Sequence, residues 1–480
     1  MRFHTACFGL LCLTAGLLGG CGILKKPDMS RTASIAKLRK PRHPLILIPG
    51  FLGTKLKDPE TGRVVWGKMS NVLLGGDDDI LALAPGADDT DVQGERVEPF
   101  AIYDSLWGVE YYRKIISTLR SAGGYQIGDI DDPRPGDNAF VFIYDWRRDN
   151  AGSAQRLAKA IEHIKAALGD ETLTFDLLAH SQGGLIARYY VKYGGAPLAD
   201  SGPPPRPTMV GAGNIHKVIM LGTPNQGCLQ ALKILHVGVR KVFRPIRPEV
   251  VFTMPSVYQM LPPPGATIFA DMEGQPVPLD LYDPDTWVKE GLSAFSRDAQ
   301  QRLRRKVRKG ALPDQSMDEL NRRFRRLLEW SLNRAKRFRA ALEAPAEVGS
   351  DVAYYAFGSD CMQTPRAALL VHRKGRKEVV FDHDRIPGNR ITPKLSKALY
   401  GAGDGTVLME SLLELPDKGQ GPRSDEEESV RFQSAFFVCE SHGVLANNPI
   451  FQNNLFYVLL LEDEAGSPPD PVLPGLAARQ

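Results

Sequence analysis

Cysteine is scarce in this chain, with six among 480 residues. Cys7 and Cys12 lie in an N-terminal segment that we predict to be removed as a signal peptide. At most one internal disulfide can form among the others, which excludes a disulfide-rich scaffold. No cysteine and histidine spacing is typical of zinc sites, so we expect no metal. The cysteines that remain are Cys21, Cys228, Cys361 and Cys439.

Charge of one sign is also weak, because the formal net charge is only +4. The sequence contains no zinc-finger, RNA-recognition or helix-turn-helix pattern, so no nucleic-acid partner is expected. Hydrophobic residues make up 43% and charged residues 24% of the chain, which is typical of a globular protein with a large core. No internal repeat is evident, and we expect no cofactor.

The apolar run from Phe8 to Leu18 is short for a transmembrane span. With Arg2 before it and two glycines after it, this run predicts a signal peptide over residues 1–20. Residues 18–21 also resemble the bacterial lipobox, whose cysteine becomes the lipid-bearing first residue. Lipidation is therefore predicted at Cys21, and a signal peptide that merely contains a cysteine is the alternative.

The residues after Cys21 indicate where such a protein is sorted. Gly22 replaces the aspartate that commonly retains lipoproteins at the inner membrane, which favours the outer membrane. Residues 21–42 are basic and lack apolar periodicity, so we expect a lipidated N-terminus followed by a solvated tether. A membrane surface is thus an expected partner, reached through the lipid anchor.

Short apolar runs alternate with helical patterns along the chain. The helical patterns include Ser153–Leu168 and Leu185–Tyr193. Continuous apolar runs predict strands buried on both faces, and their alternation with helices predicts an α/β fold with a doubly wound, mostly parallel sheet. The runs are Pro44–Ile48, Ala139–Tyr144, Leu173–Leu178, Lys217–Leu221, Val352–Phe357 and Phe432–Val438.

Two stretches interrupt this alternation and are interpreted as insertions. The first, about residues 52–100, contains Trp66 and an acidic loop at residues 77–79. The second, residues 228–350, contains two basic helical patterns, Arg297–Lys309 and Met317–Leu342. The core of the α/β fold then comprises residues 43–227 and 351–465, and we expect residues 466–480 to form a flexible tail.

The pattern Met317–Leu342 has one apolar face flanked by arginines, including Arg322, Arg323, Arg325 and Arg326. One interpretation is a cap helix that packs on the core and exposes its basic side. The other is a membrane-surface helix that binds anionic headgroups.

Ser181 follows a predicted buried strand and precedes a predicted helix, in the sequence Ala179-His180-Ser181-Gln182-Gly183. This context is typical of a nucleophile elbow, where a sharp turn exposes the serine at the carboxyl edge of a sheet. A plain turn is the alternative. The free amides of the following helix can stabilise negative charge beside the serine.

A nucleophilic serine needs a histidine base and an acid, which follow it along the chain in this fold. His442 lies in a short loop after the last predicted strand, whereas His180 precedes the serine inside the turn and should point away. Four other histidines follow the serine. His216 precedes a strand, His236 lies in the second insertion, and His372 and His383 come before the acid candidate.

Asp404 lies in Gly403-Asp404-Gly405, on a loop between the last two predicted strands of the sheet. A plain turn is the bland interpretation of this sequence. However, Asp404 lies at the position in the chain where the fold must supply the carboxylate that orients the histidine. Asp360 and Asp382 remain alternatives.

An oxyanion hole should use the backbone N–H of Gln182 and a second N–H from the loop after the first buried strand. Phe51 is our prediction for the second donor, and Gly50 and Leu52 stay open.

Together these motifs resemble the lecithin:cholesterol acyltransferase family, over roughly residues 44–460. The resemblance implies an α/β-hydrolase fold, a Ser181–Asp404–His442 triad, oxyanion donors at Phe51 and Gln182, and a lid with Trp66 as a candidate lipid contact. The ordered motifs are residues 48–53 (IPGFLG), 144–147 (YDWR), 179–184 (AHSQGG), 222–227 (GTPNQG), 255–262 (PSVYQMLP), 403–407 (GDGTV) and 441–443 (SHG).

The chain departs from that family in two places. Animal members close the lid with a disulfide, but no cysteine lies between residues 22 and 227. Residues 228–350 match poorly, so acyl-chain and headgroup preferences do not transfer.

The expected activity is ping-pong acyl transfer from a lipid ester, with water or an alcohol as acceptor. Hydrolysis and transfer use the same triad, so the sequence leaves that choice open. An esterase or peptidase with soluble substrates and a non-catalytic lipid-binding lipoprotein are the alternatives.

Overall fold

The computed structural model describes residue 34 and residues 41–460, with gaps at 68–77, 84–96, 104, 107–108, 204, 240–244, 313, 315, 347–350, 374–375, 383–384, 387–390 and 416–429. The predicted signal peptide, Cys21, nearly all of the tether and the C-terminal tail lie outside the described residues.

The strands of the described chain are β1 (Leu45–Ile48), β2 (Thr54–Lys57), β3 (Val64–Trp66), β4 (Glu98–Ile102), β5 (Ser105–Leu106), β6 (Val109–Glu110), β7 (Ile127–Gly128), β8 (Ala139–Val141), β9 (Phe175–His180), β10 (Ile215–Leu221), β11 (Phe269–Ala270), β12 (Ala353–Gly358), β13 (Met362–Pro365), β14 (Ala368–Arg373), β15 (Arg376–Val380), β16 (Tyr400–Gly403) and β17 (Phe432–Phe437).

The helices are α1 (Arg113–Ala122), α2 (Asn150–Leu168), α3 (Gln182–Tyr193), α4 (Leu229–Val237), α5 (Pro248–Val251), α6 (Pro255–Tyr258), α7 (Pro284–Lys289), α8 (Arg297–Arg308), α9 (Met317–Glu343), α10 (Pro393–Leu399), α11 (Met409–Leu412) and α12 (Pro449–Leu460). Short 3-10 helices include Asp78–Leu81 and His442–Asn447.

In the described part of the chain, a seven-stranded sheet has the order β17-β12-β10-β9-β1-β8-β7. All neighbouring pairs in it are parallel. Each of the predicted apolar runs forms one of its strands, because a parallel sheet covered on both faces requires continuous apolar sequence. The predicted parallel sheet is confirmed, and β7 is an edge strand that the sequence analysis did not predict.

Helices cover both faces of this sheet. Successive side chains of a strand point to opposite faces, and β1 shows the result. Leu45 and Leu47 pack with α1 and α12, whereas Ile46 and Ile48 pack with α2 and α3. The sheet is therefore doubly wound, as the sequence predicts.

The first insertion is partly described. Strand β2 pairs antiparallel with β3 and β4, which makes a small sheet beside the main one. The 3-10 helix Asp78–Leu81 follows, and the N–H of Leu83 donates to Oγ1 of Thr253 in the second insertion, with 2.9 Å between the atoms. The two insertions are thus in direct contact.

The second insertion forms a helical cap, and α9 is its longest helix. The apolar side chains Leu320, Phe324, Leu328 and Phe338 of α9 lie in the main hydrophobic cluster. A membrane-surface helix must place its apolar face in the lipid interface, which this burial prevents. The cap interpretation of α9 therefore describes the structure, and headgroup contact by its exposed arginines stays a prediction.

Cys361 and Cys439 form a disulfide, and Cys228 is a buried free thiol. The bond joins the loop after β12 to the loop after β17. Among the helices that the structure describes, none has both the length and the apolar character needed to span a membrane.

Candidate active site

Ser181 lies at the sharp turn between β9 and α3. Its φ is 55°, a left-handed conformation that residues with side chains rarely adopt. The helix that follows must approach the sheet closely, because a Cβ on Gly183 would lie 2.5 Å from the carbonyl oxygen of Ile48. The strand, turn and helix of a nucleophile elbow are therefore present at Ser181.

His442 is hydrogen-bonded to the two other residues of the predicted triad. The Ser181 hydroxyl donates to Nε2 of His442, with 2.9 Å between Oγ and Nε2. Nδ1 of His442 donates to Oδ2 of Asp404 at 2.7 Å. We assign these protons from chemistry, because an ionised carboxylate can only accept. In this hydrogen-bonded triad, His442 can accept the proton of Ser181 as the hydroxyl attacks an electrophile.

Asp404 is buried in the loop after β16, and its second oxygen is also occupied. Oδ1 accepts from the N–H groups of Thr406 at 2.9 Å and Val407 at 2.7 Å. Burial raises the pKa of this carboxyl, but the nearby His442 and these donors lower it more, so the pKa lies below its ordinary value. Asp404 is therefore a carboxylate at neutral pH, as its orienting position requires.

The alternative acids lie elsewhere. Asp382 forms an ion pair with Lys233, and the side chain of Asp360 is exposed. His442 also has its own N–H bonded to the carbonyl of Asp404, with 3.0 Å between N and O. Of the three carboxylates considered, the structure brings only Asp404 to the histidine.

The loop Pro49–Gly53 passes directly beside the nucleophile. A Cβ on Gly50 would lie 2.8 Å from Cβ of Ser181. The N–H of Gly50 donates to the hydroxyl oxygen of Tyr112 at 2.9 Å, so it is not free to bind an oxyanion. Phe51 and Leu52 remain as second donors, and Leu52 has a φ of 65°. Gln182 opens α3, where backbone N–H groups have no partner within the helix.

Tyr112 and His180 lie beside this triad and were not predicted as functional residues. The Tyr112 hydroxyl donates to Nδ1 of His180 at 2.6 Å, and Nε2 of His180 donates to the carbonyl oxygen of His442 at 3.1 Å. Burial, and after it the neighbouring His442, lower the pKa of His180 to about 3. His180 is therefore neutral and turned away from the Ser181 hydroxyl, as the sequence analysis expected.

The candidate lipid contact at Trp66 needs an accessible indole, but Trp66 is only 8% exposed. Its ring packs edge-on against Trp146, with 5.7 Å between ring centres, and Nε1 donates to the carbonyl of Leu52 at 3.2 Å. Trp66 thus supports the loop beside Ser181 from inside the protein. The buried indole of Trp66 is therefore not placed to contact a membrane directly.

Metal ligands are not grouped in the described residues: no set of three or more histidine, cysteine, aspartate or glutamate side chains there could hold an ion.

The chain is similar to known proteins in sequence and in fold. The model of the family Lecithin:cholesterol acyltransferase matches residues 108–412, which is more than half of the chain. Among curated proteins, none matches significantly.

Among solved structures, the crystal structure of the Tle4–Tli4 complex matches 87% of this chain and 98% of that chain, with 14% identity and a TM-score of 0.51. Bacillus licheniformis lipase BlEst2 matches 88% of this chain at 10% identity, covering 51% of the propeptide form and 93% of the mature form, with TM-scores of 0.34 and 0.33. At 14% identity, the similarity to the Tle4–Tli4 structure concerns the fold alone. The chain has the α/β-hydrolase fold.

Proposed function

This chain belongs to the lecithin:cholesterol acyltransferase family, and on that premise we propose that it is a serine acyl hydrolase or acyltransferase that acts on phospholipid or acylglycerol esters. Family membership supports ester-bond chemistry on lipids. The observation that carries the finer proposal is the hydrogen-bonded row of Ser181, His442 and Asp404, with 2.9 Å and 2.7 Å between the bonded atoms.

In the proposed first half-reaction, His442 takes the proton of Ser181 while Oγ attacks the ester carbonyl. The amides of Gln182 and Phe51 bind the oxyanion, and Asp404 stabilises the positive charge on His442. His442 then gives its proton to the leaving alcohol, and an acyl-enzyme on Ser181 remains. Gln182 begins α3, and Phe51 lies on the loop after β1.

In the second half-reaction, water or an alcohol attacks the acyl-enzyme, and His442 serves again as base. Water gives a fatty acid and completes hydrolysis, whereas a lipid alcohol gives a new ester and completes transfer. Both outcomes need the same protein groups, so the acceptor that enters the site decides between them.

The test is to incubate the purified chain with phospholipid vesicles or with an acylglycerol emulsion, each with and without a long-chain alcohol, and to identify the products by mass spectrometry. Free fatty acid or a new alkyl ester, absent with Ser181→Ala, supports the proposal. Unchanged phospholipid and acylglycerol would contradict it. Faster turnover of a monomeric ester than of the same ester in micelles would favour a soluble-substrate esterase instead.

We also propose that Cys21 carries a lipid anchor that holds the protein at a membrane surface, with the outer membrane as its address. The lipobox-like residues 18–21 and Gly22 support this. Palmitate labelling of the parent and of Cys21→Ala in a bacterial host tests it. Labelling that persists in the variant would contradict lipidation at Cys21. Fractionation of the labelled parent with the inner membrane would contradict the proposed outer-membrane location.

A further inference from the structure

Three hydrogen bonds connect the loop beside the nucleophile to the backbone of the base. The N–H of Gly50 donates to Tyr112, Tyr112 donates to His180, and His180 donates to the carbonyl of His442. The distances are 2.9, 2.6 and 3.1 Å in that order. We call this chain of four residues the Tyr112–His180 bridge.

One arrangement of protons satisfies all three bonds. Tyr112 accepts from Gly50, so its own hydroxyl proton is available for Nδ1 of His180. A neutral imidazole that accepts at Nδ1 carries its proton on Nε2, and the carbonyl of His442 lies there to accept it. Burial keeps His180 neutral by lowering its pKa to about 3, with His442 as the second cause. A protonated His180 would carry a proton on Nδ1 as well, so Nδ1 could no longer accept from the Tyr112 hydroxyl.

We propose that Tyr112 and His180 are positioning residues, which set the oxyanion loop and the backbone of His442 in register with Ser181. This inference rests on the proposed function. The Tyr112 hydroxyl occupies the Gly50 amide, so the next amides of the loop, on Phe51 and Leu52, are left for the oxyanion.

At its other end, the bridge holds a backbone group of His442 that Asp404 does not contact. The N–H of His442 donates to the carbonyl of Asp404, and its carbonyl accepts from His180. The rings of His180 and His442 also lie 4.9 Å apart between centres. Both peptide groups of His442 are therefore held, which limits how far Nε2 can move from Oγ of Ser181.

Tyr112→Phe removes the hydroxyl and leaves the ring. We expect kcat for an ester to fall on the order of tenfold to hundredfold, with KM changed less than about twofold, because misplaced reacting groups lose rate more than binding. Tyr258→Phe is the matched control, since its hydroxyl is also buried and donates to the carbonyl of Phe252 at 2.9 Å in the cap. The control should keep the parent kcat.

A double variant separates the bridge from two independent effects. His180→Leu removes both the donor to the carbonyl of His442 and the acceptor of the Tyr112 hydroxyl, because leucine has no polar side-chain atom. The double variant with Tyr112→Phe should have nearly the same kcat as the slower of the two single variants, because either change breaks the same chain of hydrogen bonds. Losses that multiply would contradict the bridge. An unchanged kcat in Tyr112→Phe, with a melting temperature lowered as in Tyr258→Phe, would show a structural role only and overturn the inference.

The labelling rate of Ser181 by a fluorophosphonate keeps this test apart from the identity of the substrate. If the parent labels but turns over no lipid ester, the proposed substrate is wrong, and the bridge is still decided by whether Tyr112→Phe labels at least about tenfold more slowly. An equal labelling rate would overturn the bridge. A parent that does not label would overturn both proposals.

Discussion

Arg334 of the cap helix α9 donates from Nε to Oδ2 of Asp149, with 2.7 Å between the two atoms. Asp149 caps the core helix α2 by accepting from the N–H groups of Ala151 and Gly152 through its other oxygen. A residue of the insertion thus completes the hydrogen bonding at the start of a core helix. The cap is fastened to the catalytic core by a buried ion pair.

Replacement of Arg334 by methionine should destabilise the whole fold. The variant leaves a buried carboxylate without its cation, which costs about 3–5 kcal/mol of unfolding free energy in typical cases. Urea unfolding measures this, and Arg326→Met on the exposed side of α9 is the matched control, with a change within about 0.5 kcal/mol. A loss below about 1 kcal/mol for Arg334→Met would contradict a fastening role.

The bounds of α9 and its apolar face were predictable from the three- and four-residue spacing of Leu320, Phe324, Leu328 and Phe338. The roles of its arginines were not. Arg334 and Asp149 are 185 residues apart in sequence, and no local pattern connects them. A basic helix flank looks the same in sequence whether its partners are lipid headgroups or distant acids of the same chain.

Asp404→Asn should lower kcat on the order of ten-thousandfold with little change in KM, because asparagine cannot hold the neutral imidazole in the required tautomer. Asp360→Asn and Asp382→Asn are matched controls, since neither carboxylate contacts His442, and both should retain activity. Steady-state kinetics on one ester decides this. A larger loss in either control than in Asp404→Asn would assign the acid elsewhere.

The Cys361–Cys439 disulfide joins the loop after β12 to the residue three positions before His442. Replacing both cysteines with alanine should remove about 2–5 kcal/mol of unfolding free energy, because the bond closes a long loop of 78 residues in sequence separation. We also expect a lower kcat, since the segment that carries His442 loses a constraint. Dithiothreitol should lower the melting temperature of the parent but not of the double variant. A parent that is insensitive to reduction would contradict this prediction.

His180 should make stability depend on pH. Its pKa is about 3 in the folded state, against an ordinary value of 6.5. Between these values the unfolded chain binds more protons, so stability rises with pH across this window and is lost on acidification, by at most about 1.4 kcal/mol per pH unit. His442, Asp404 and Tyr112 face the same ring, so the comparison must isolate His180.

The comparison is the unfolding free energy of the parent minus that of His180→Asn, measured from pH 7 to pH 4. We expect the difference to shrink as pH falls below about 6.5, because only the parent carries this histidine. A difference that stays constant over the range would show that His180 is not held neutral by burial.

The order of serine, acid and histidine along the chain, together with the loop context of each residue, predicted the three side chains that meet, although Asp360 and Asp382 fit the same order. Strands β9 and β17 of the parallel sheet lead into Ser181 and into the loop of His442, whereas Asp404 follows β16, which pairs antiparallel with β13 outside that sheet. Tyr112 was not predictable, because it lies 62 residues from Gly50 and 68 from His180, and a tyrosine before a helix has no sequence signature. The occupied amide of Gly50 likewise depends on that distant hydroxyl.

The central claim is that Ser181 is the nucleophile, and fluorophosphonate labelling of the parent and of Ser181→Ala tests it most directly, together with turnover of a phospholipid. We expect the parent to label, and the variant to lose labelling and to lose turnover by at least about ten-thousandfold. The melting temperature of the variant should stay within a few degrees of the parent. Labelling or turnover by Ser181→Ala at the parent's rate would contradict the account.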